Sequence, residues 1–285
     1  RIGNWLEESL AKEEAIKKYA PLLRENKTLY QQHIKKLTKE IQIIPITPSQ
    51  PQLYSGDLIY IMNPHVEIPR SASGVDQGNT IGITMSLLFT PEHYQFTSKV
   101  TPGMLVTGTT HLVSTIRNTF RISKLGVGDD SKSVIYYGDD ITFSPLDTYL
   151  DWKWYLECRP PNHFSGTLGR ALKVQLRISP DYNQYCRWKI VNVDPHQRNI
   201  STPAPANSDV IIEHAATNDT LCALENWTNL MFYKECEVTI ERKQDIFRRP
   251  LPTNVWQICN SQQSEQWQKY LDYQARTKQI SNPTN

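Results

Sequence analysis

Three aromatic-x-isoleucine tripeptides constrain this chain more than any other feature. They are Phe120-Arg121-Ile122, Trp188-Lys189-Ile190 and Trp256-Gln257-Ile258, with successive aromatics 68 residues apart both times. Residues two apart on an extended strand face the same side, so each tripeptide turns an aromatic and an isoleucine inward and a polar residue outward. A turn-and-strand opener precedes each closer. The openers are Ser55-Gly56-Asp57-Leu58-Ile59-Tyr60, Tyr137-Gly138-Asp139-Asp140-Ile141-Thr142-Phe143 and Asn207-Ser208-Asp209-Val210-Ile211-Ile212. Each sets a small residue and an Asp ahead of an apolar or alternating strand. Ala171–Ile178 and Cys236–Ile240 alternate as half-buried strands do.

Self-similarity of this kind marks a repeat architecture. The chain is predicted to be mainly β, with a β-trefoil-like three-repeat core in which each unit gives strands to a barrel and a hairpin to its cap. A closed barrel also removes edge strands. A two-sheet β-sandwich is the alternative. Phe120, Ile122, Trp188, Ile190, Trp256 and Ile258 are the expected structural core. The first unit is longer than the others from opener to closer, which calls for an insertion near 64–91.

The core is expected over residues 53–260, between a helical N-terminal arm with a Pro-containing linker (1–52) and a C-terminal tail with a short helix (261–285). In the arm, Asn4 and Glu7 have capping-box spacing. Glu13/Lys17 and Glu14/Lys18 are ion pairs in the favourable order. Pro21 is expected to end a first helix near Ala20 and open a second. The second carries an apolar stripe of Tyr30, Ile34, Leu37 and Ile41 on a Lys-rich surface. Pro45, Pro48 and Pro51 mark an extended linker. In the tail, Ser264–Lys278 sets Trp267, Tyr270 and Leu271 on one face.

Charge and motifs argue against several functions. A formal net charge of +2 over 285 residues gives no broad footprint for nucleic acid. No apolar run approaches the ~20 residues of a membrane-spanning helix. No secretory signal is read at Arg1, and the missing initiator methionine is expected to reflect earlier residues. Cys158, Cys186, Cys222, Cys236 and Cys259 are odd in number and dispersed, as in a reducing compartment. The sequons at Asn26, Asn199, Asn218 and Asn226 then read as chance matches.

The seven histidines show no zinc-ligand spacing. Gly166-Thr167-Leu168-Gly169-Arg170 lacks the Lys-Ser/Thr of a phosphate loop and reads as a turn. Gly126-Val127-Gly128 reads as a hairpin loop before a strand at Val134. Asp139–Asp140 occupies the repeated turn, where Asp bonds its own backbone. No catalytic residues, metal or cofactor are expected. Gln-x-Trp, common in sugar-binding trefoils, is absent from the closers.

Several stretches resemble a known family. Arg1-Ile2-Gly3-Asn4-Trp5 before an acidic helix start is similar to the N-terminal signature of the cilia- and flagella-associated protein 161 family. Tyr137-Gly138 followed by Asp140 resembles that family's second-unit opener. The resemblance is best over Pro205-Ala206-Asn207 to Ile211-Ile212, His214 and Thr217-Asn218. It continues into Lys234-Glu235-Cys236-Glu237-Val238 and ends at Asn254-x-Trp256. It covers about half the chain; Pro64–Asp130 matches nothing quotable, and the tail after Cys259 is longer than in typical members. The third unit also resembles the β-trefoil repeats of MIR-type domains.

The resemblance implies a structural microtubule inner protein in the lumen of the A-tubule of axonemal doublets. It would bind α- and β-tubulin and neighbouring inner proteins, with no nucleic acid and no membrane. Trp5, Tyr19, Tyr30, Lys35 and Lys36 in the arm, and Trp267 and Tyr270 in the tail, are the expected contacts, because aromatics and long basic side chains dominate interface energy. A trefoil module binding a soluble sugar or inositol phosphate is the competing reading, and an enzyme with a site hidden in the sequence is a third.

Overall fold

The computed structural model describes residues 5–25, 27–28, 31–32, 35, 42–46, 50–69, 81–89, 99–127, 132–146, 153–159, 176–198, 200–229 and 234–261. These fall into a helical unit and a β unit that begins at Ile43.

The helical unit carries α1 (Trp5–Arg24), with Glu7 and Glu8 in its first turn, where carboxylates oppose the positive helix end. Glu14 and Lys18 pair at 3.1 Å on its exposed surface. The expected break near Ala20 does not occur: Pro21 lies inside α1. A proline so close to the helix end removes one donor, and the last turn still closes, the Glu25 amide donating to the Pro21 carbonyl at 2.9 Å. Gln31, Gln32 and Lys35 are also helical. The stripe residues Tyr30, Ile34, Leu37 and Ile41 lie outside the described residues, as does the tail helix.

Among the described residues the β unit has twelve strands. The first repeat contributes β1 (Leu58–Glu67), β2 (Ile81–Leu87), β3 (Val106–Thr109) and β4 (Thr119–Lys124). The second contributes β5 (Asp140–Pro145), β6 (Tyr155–Glu157), β7 (Arg177–Ser179) and β8 (Trp188–Asn192). The third contributes β9 (Asp209–His214), β10 (Leu221–Asn229), β11 (Lys234–Ile240) and β12 (Trp256–Cys259). Six of them close a ring in the order β1-β12-β9-β8-β5-β4, with β4 returning to β1. The other six pair as β2–β3, β6–β7 and β10–β11. The first and last strands of each repeat build the barrel and the middle two form a hairpin. This strand order makes the core β-trefoil-like and excludes the sandwich.

The closers are where their pattern places them. Phe120, Ile122, Trp188, Ile190, Trp256 and Ile258 all have no exposed surface. Filling the interior with three aromatic rings contributes about 1.5–3 kcal/mol per side chain relative to exposure. The indole Nε1 of Trp188 donates to the Leu156 carbonyl at 3.1 Å, and that of Trp256 to the Leu221 carbonyl at 3.0 Å. Two residues ahead of the closers sit Asn118, Cys186 and Asn254, all buried. Asn118 Nδ2 donates to Thr84 Oγ1 at 3.1 Å and the Val113 carbonyl at 2.8 Å. Asn254 repeats this with Thr220 Oγ1 at 2.8 Å and the Glu241 carbonyl at 2.6 Å.

The cap hairpins are joined too. β11 pairs with β3, setting Cys236 against Gly108. A Cβ on Gly108 would lie 2.7 Å from Ile83 Cδ1 and 2.8 Å from Cys236 Sγ, so any larger residue there would have to displace two buried side chains. A buried ion pair ties the same repeats. Arg117 Nη2 donates to Glu235 Oε1 at 2.7 Å and to the Leu87 carbonyl at 2.9 Å, and Glu235 Oε2 accepts from Thr107 Oγ1 at 2.8 Å.

Two details differ from the sequence reading. Val134 forms one bridge, to Tyr54, rather than opening a strand, because its segment crosses the barrel floor. The segment 171–175 lies outside the described residues, and β7 starts at Arg177. The linker is built into the β unit: Ile44 exchanges hydrogen bonds with Ser114, and Ile46 packs with Leu112 against Tyr60, Met62 and Cys259.

Candidate interaction surfaces

The helical unit exposes apolar side chains along one face. Trp5, Ile16, Tyr19 and Leu23 of α1 recur at helical spacing and are 73%, 65%, 53% and 51% exposed. Trp5 and Tyr19, two of the expected contacts, therefore share one face. Lys35 is exposed. Tyr30, Lys36, Trp267 and Tyr270 lie outside the described residues.

The sequence reading missed a second surface. Residues 243–251, between β11 and β12, form a narrow hairpin. Gln244 bridges Pro250, and the Leu251 amide donates to the Lys243 carbonyl at 3.1 Å. At its tip Ile246 and Phe247 are 90% and 70% exposed. The Arg249 guanidinium stacks 5.6 Å from the Phe247 ring centre. The legible signal was an apolar pair, Ile246-Phe247, inside a segment otherwise of turn and charged residues.

At the foot of this hairpin is a shallow cleft lined by Val191, Arg198, Ile211, Glu213, Thr220, Arg242, Lys243 and Pro250. Arg242 Nη2 donates to Glu213 Oε2 at 3.1 Å and to the Asn218 carbonyl. Arg198 Nε donates to the Asn192 carbonyl at 3.1 Å.

Inside the barrel unit burial favours the uncharged forms of two histidines and three cysteines. Burial, helped by the Arg117 charge, lowers His111 to about 4. Burial also lowers His214, against a hydrogen bond from the ring to the Tyr185 carbonyl that raises it. His214 Nε2 must donate to that carbonyl at 3.0 Å, which leaves Nδ1 of the neutral ring to accept from Thr217 Oγ1. All five cysteines are buried, and burial pushes Cys158 and Cys236 up to about 12 and Cys186 to about 11. Such thiols are poor nucleophiles. Among the described residues no group of three His, Cys, Asp or Glu side chains could hold a metal ion. No helix among them is long and apolar enough to cross a membrane.

Barrel, cap and exposed faces together define a β-trefoil-like protein that displays apolar and cationic side chains at its surface. Residues 162–261 match the model of the cilia- and flagella-associated protein 161-like domain. Over nearly the whole chain it is 24% identical to cilia- and flagella-associated protein 161 of Danio rerio, covering 96% of this chain and 91% of that one. The Bos taurus protein of the same name is 23% identical, with 95% and 84% covered. The domain match over 162–261 and these two alignments make the chain similar to the cilia- and flagella-associated protein 161 family. Solved structures with some likeness include the SDF2-like protein of Arabidopsis thaliana, 10% identical with a TM-score of 0.46 over 73% of this chain and 94% of that one. Another is a Caenorhabditis elegans protein of unknown function, 13% identical with a TM-score of 0.48 over 75% and 98%. The fold assignment rests on the strand order and not on these likenesses.

Proposed function

We propose that this chain is a structural microtubule inner protein. It binds tubulin and neighbouring inner proteins in the lumen of the A-tubule of ciliary doublets and stabilises the axoneme for motility. The observation that carries the reading is the similarity to cilia- and flagella-associated protein 161, which covers 91% and 84% of the two relatives. The surfaces are consistent with it. A rigid trefoil core supplies a wedge, and α1 offers Trp5 and Tyr19 on one exposed face. Tyr30, Lys35 and Lys36, with Trp267 and Tyr270 of the tail, extend the proposed contact set. Many weak contacts repeated along a lattice give high occupancy through multivalency.

The arm is tested by docking. Wild-type chain and a Trp5→Ala/Tyr19→Ala variant are expressed in ciliated cells lacking the endogenous protein, and the fraction retained on isolated doublets is compared. The variant is expected to be retained several-fold less. Equal retention would remove the arm from the binding surface.

A further inference from the structure

The hairpin at residues 243–251 is densely hydrogen-bonded for a connection. Asp245 Oδ1 accepts from the amides of Phe247 and Arg249, each at 2.8 Å, and the Asp245 amide donates to the Arg249 carbonyl at 2.9 Å. Arg248 adopts φ 61°, a left-handed conformation that a non-glycine residue holds at some cost. At the foot, the Lys243 amide donates to Oδ1 of Asn254, the buried residue two before the Trp256 closer. The tip is thus anchored to the barrel core while it lifts Ile246 and Phe247 into solvent. Turns are ordinarily built from Gly, Pro, Asn, Asp and Ser. An apolar pair at the apex of an anchored hairpin is a surface in search of a partner.

The electrostatics say which partner. Hairpin and cleft together carry five cations, Arg198, Arg242, Lys243, Arg248 and Arg249, against two carboxylates, Glu213 and Asp245. Both carboxylates are engaged, Glu213 by Arg242 and Asp245 by its own backbone amides. The chain as a whole is nearly neutral, at +2, so this excess is local.

We infer that the 243–251 hairpin and the cleft at its foot dock an acidic protein segment bearing an apolar side chain. The apolar group packs on Ile246 and Phe247, and the segment's carboxylates meet Arg198 and Lys243. Charge complementarity of this kind fixes register and speeds encounter, and the apolar pair supplies most of the affinity. The inference needs an acidic protein partner and does not need that partner to be tubulin.

The test uses the full chain with Phe247→p-benzoylphenylalanine, expressed in ciliated cells and photo-crosslinked in isolated axonemes. Mass spectrometry then reads the linked peptide. A link to a segment rich in Asp and Glu is the expected result. A link to lipid, or to a neutral or basic segment, overturns the inference, as does no link at 247 while a control probe at Trp5 links. An acidic segment on a protein foreign to the doublet would sustain this inference and sink the proposed luminal role. Two variants read the same surface by retention on axonemes, with circular dichroism confirming an unchanged melting temperature. Phe247→Ser and the pair Arg198→Glu/Lys243→Glu should each reduce retention about 10-fold or more, as at interface hot spots. If the charge-reversed pair loses binding of inositol hexakisphosphate while axonemal retention is unaffected, the cleft is a small-anion site and the inference fails.

Discussion

The amide of Leu53 donates to the carbonyl of Ala204 at 3.1 Å, that of Ala204 to Ile135 at 2.8 Å, and that of Ile135 back to Leu53 at 2.9 Å. All three residues have no exposed surface, and the three bonds form a closed ring across the barrel floor. Three residues on, the amides of Gly56, Gly138 and Asn207 donate to the carbonyls of Ile122, Ile190 and Ile258 at 2.7, 2.9 and 2.9 Å. Each opener is therefore bonded to its own repeat's closer. One repeat cannot close alone, because its floor donor and acceptor lie in the other two.

The opener donors all have positive φ: 91° at Gly56, 84° at Gly138 and 56° at Asn207. A Cβ on Gly138 would meet nothing within 4 Å, so backbone conformation alone decides what is tolerated there. Gly138→Val should lower stability by about 1–3 kcal/mol. Gly138→Asn should be milder, as Asn207 already serves in the third repeat. Urea unfolding of both variants checks the order.

The indoles of Trp188 and Trp256 satisfy strand carbonyls that no solvent reaches. Trp188→Phe and Trp256→Phe keep the aromatic bulk, as Phe120 does in the first repeat, and each removes one donor; the Leu221 carbonyl keeps a second, Asn254 Nδ2 at 3.1 Å. Trp188→Phe should cost about 1–3 kcal/mol and Trp256→Phe about 1 kcal/mol. The double variant should be close to additive, since the two bonds share no partner.

Glu235 is 3% exposed and holds Arg117. Glu235→Ala removes the carboxylate that balances a buried guanidinium and should cost about 3–5 kcal/mol in thermal or chemical unfolding. Replacing both partners with apolar residues of similar volume should recover much of the loss.

Stability should also fall in mild acid. His111 is depressed to about 4 and His214 is lowered as well, each chiefly by burial. Unfolded histidine titrates near 6.5, so below that pH the unfolded chain binds protons that the native chain refuses. The stabilisation from keeping these rings neutral is present above pH ~6.5 and is lost as pH falls toward 4. His111→Gln should flatten the melting-temperature profile between those values.

The openers and closers were legible because the barrel demands the same thing three times: a residue that tolerates positive φ, then an inward aromatic and isoleucine. Trp188 and Trp256 could be read as core from the sequence. Their indole acceptors, Leu156 and Leu221, could not, since those lie 32 and 35 residues away through the hairpins. Pro21 misled because its rule holds for a helix interior and it sits in the last turn of α1. The hairpin tip went unseen because an apolar pair within charged turn residues looks like a short buried strand until its exposure is known. Trp5 and Tyr19 were chosen by residue type, and the spacing of α1 sets them on one face.

The central claim is a luminal, lattice-bound structural protein. Isolated axonemes extracted with rising salt and mild detergent, with this chain followed by mass spectrometry, test it most directly. The account predicts that the chain stays with the doublets after the outer proteins have been stripped and leaves only when the doublets dissolve. Elution with the soluble ciliary matrix at low salt would contradict it.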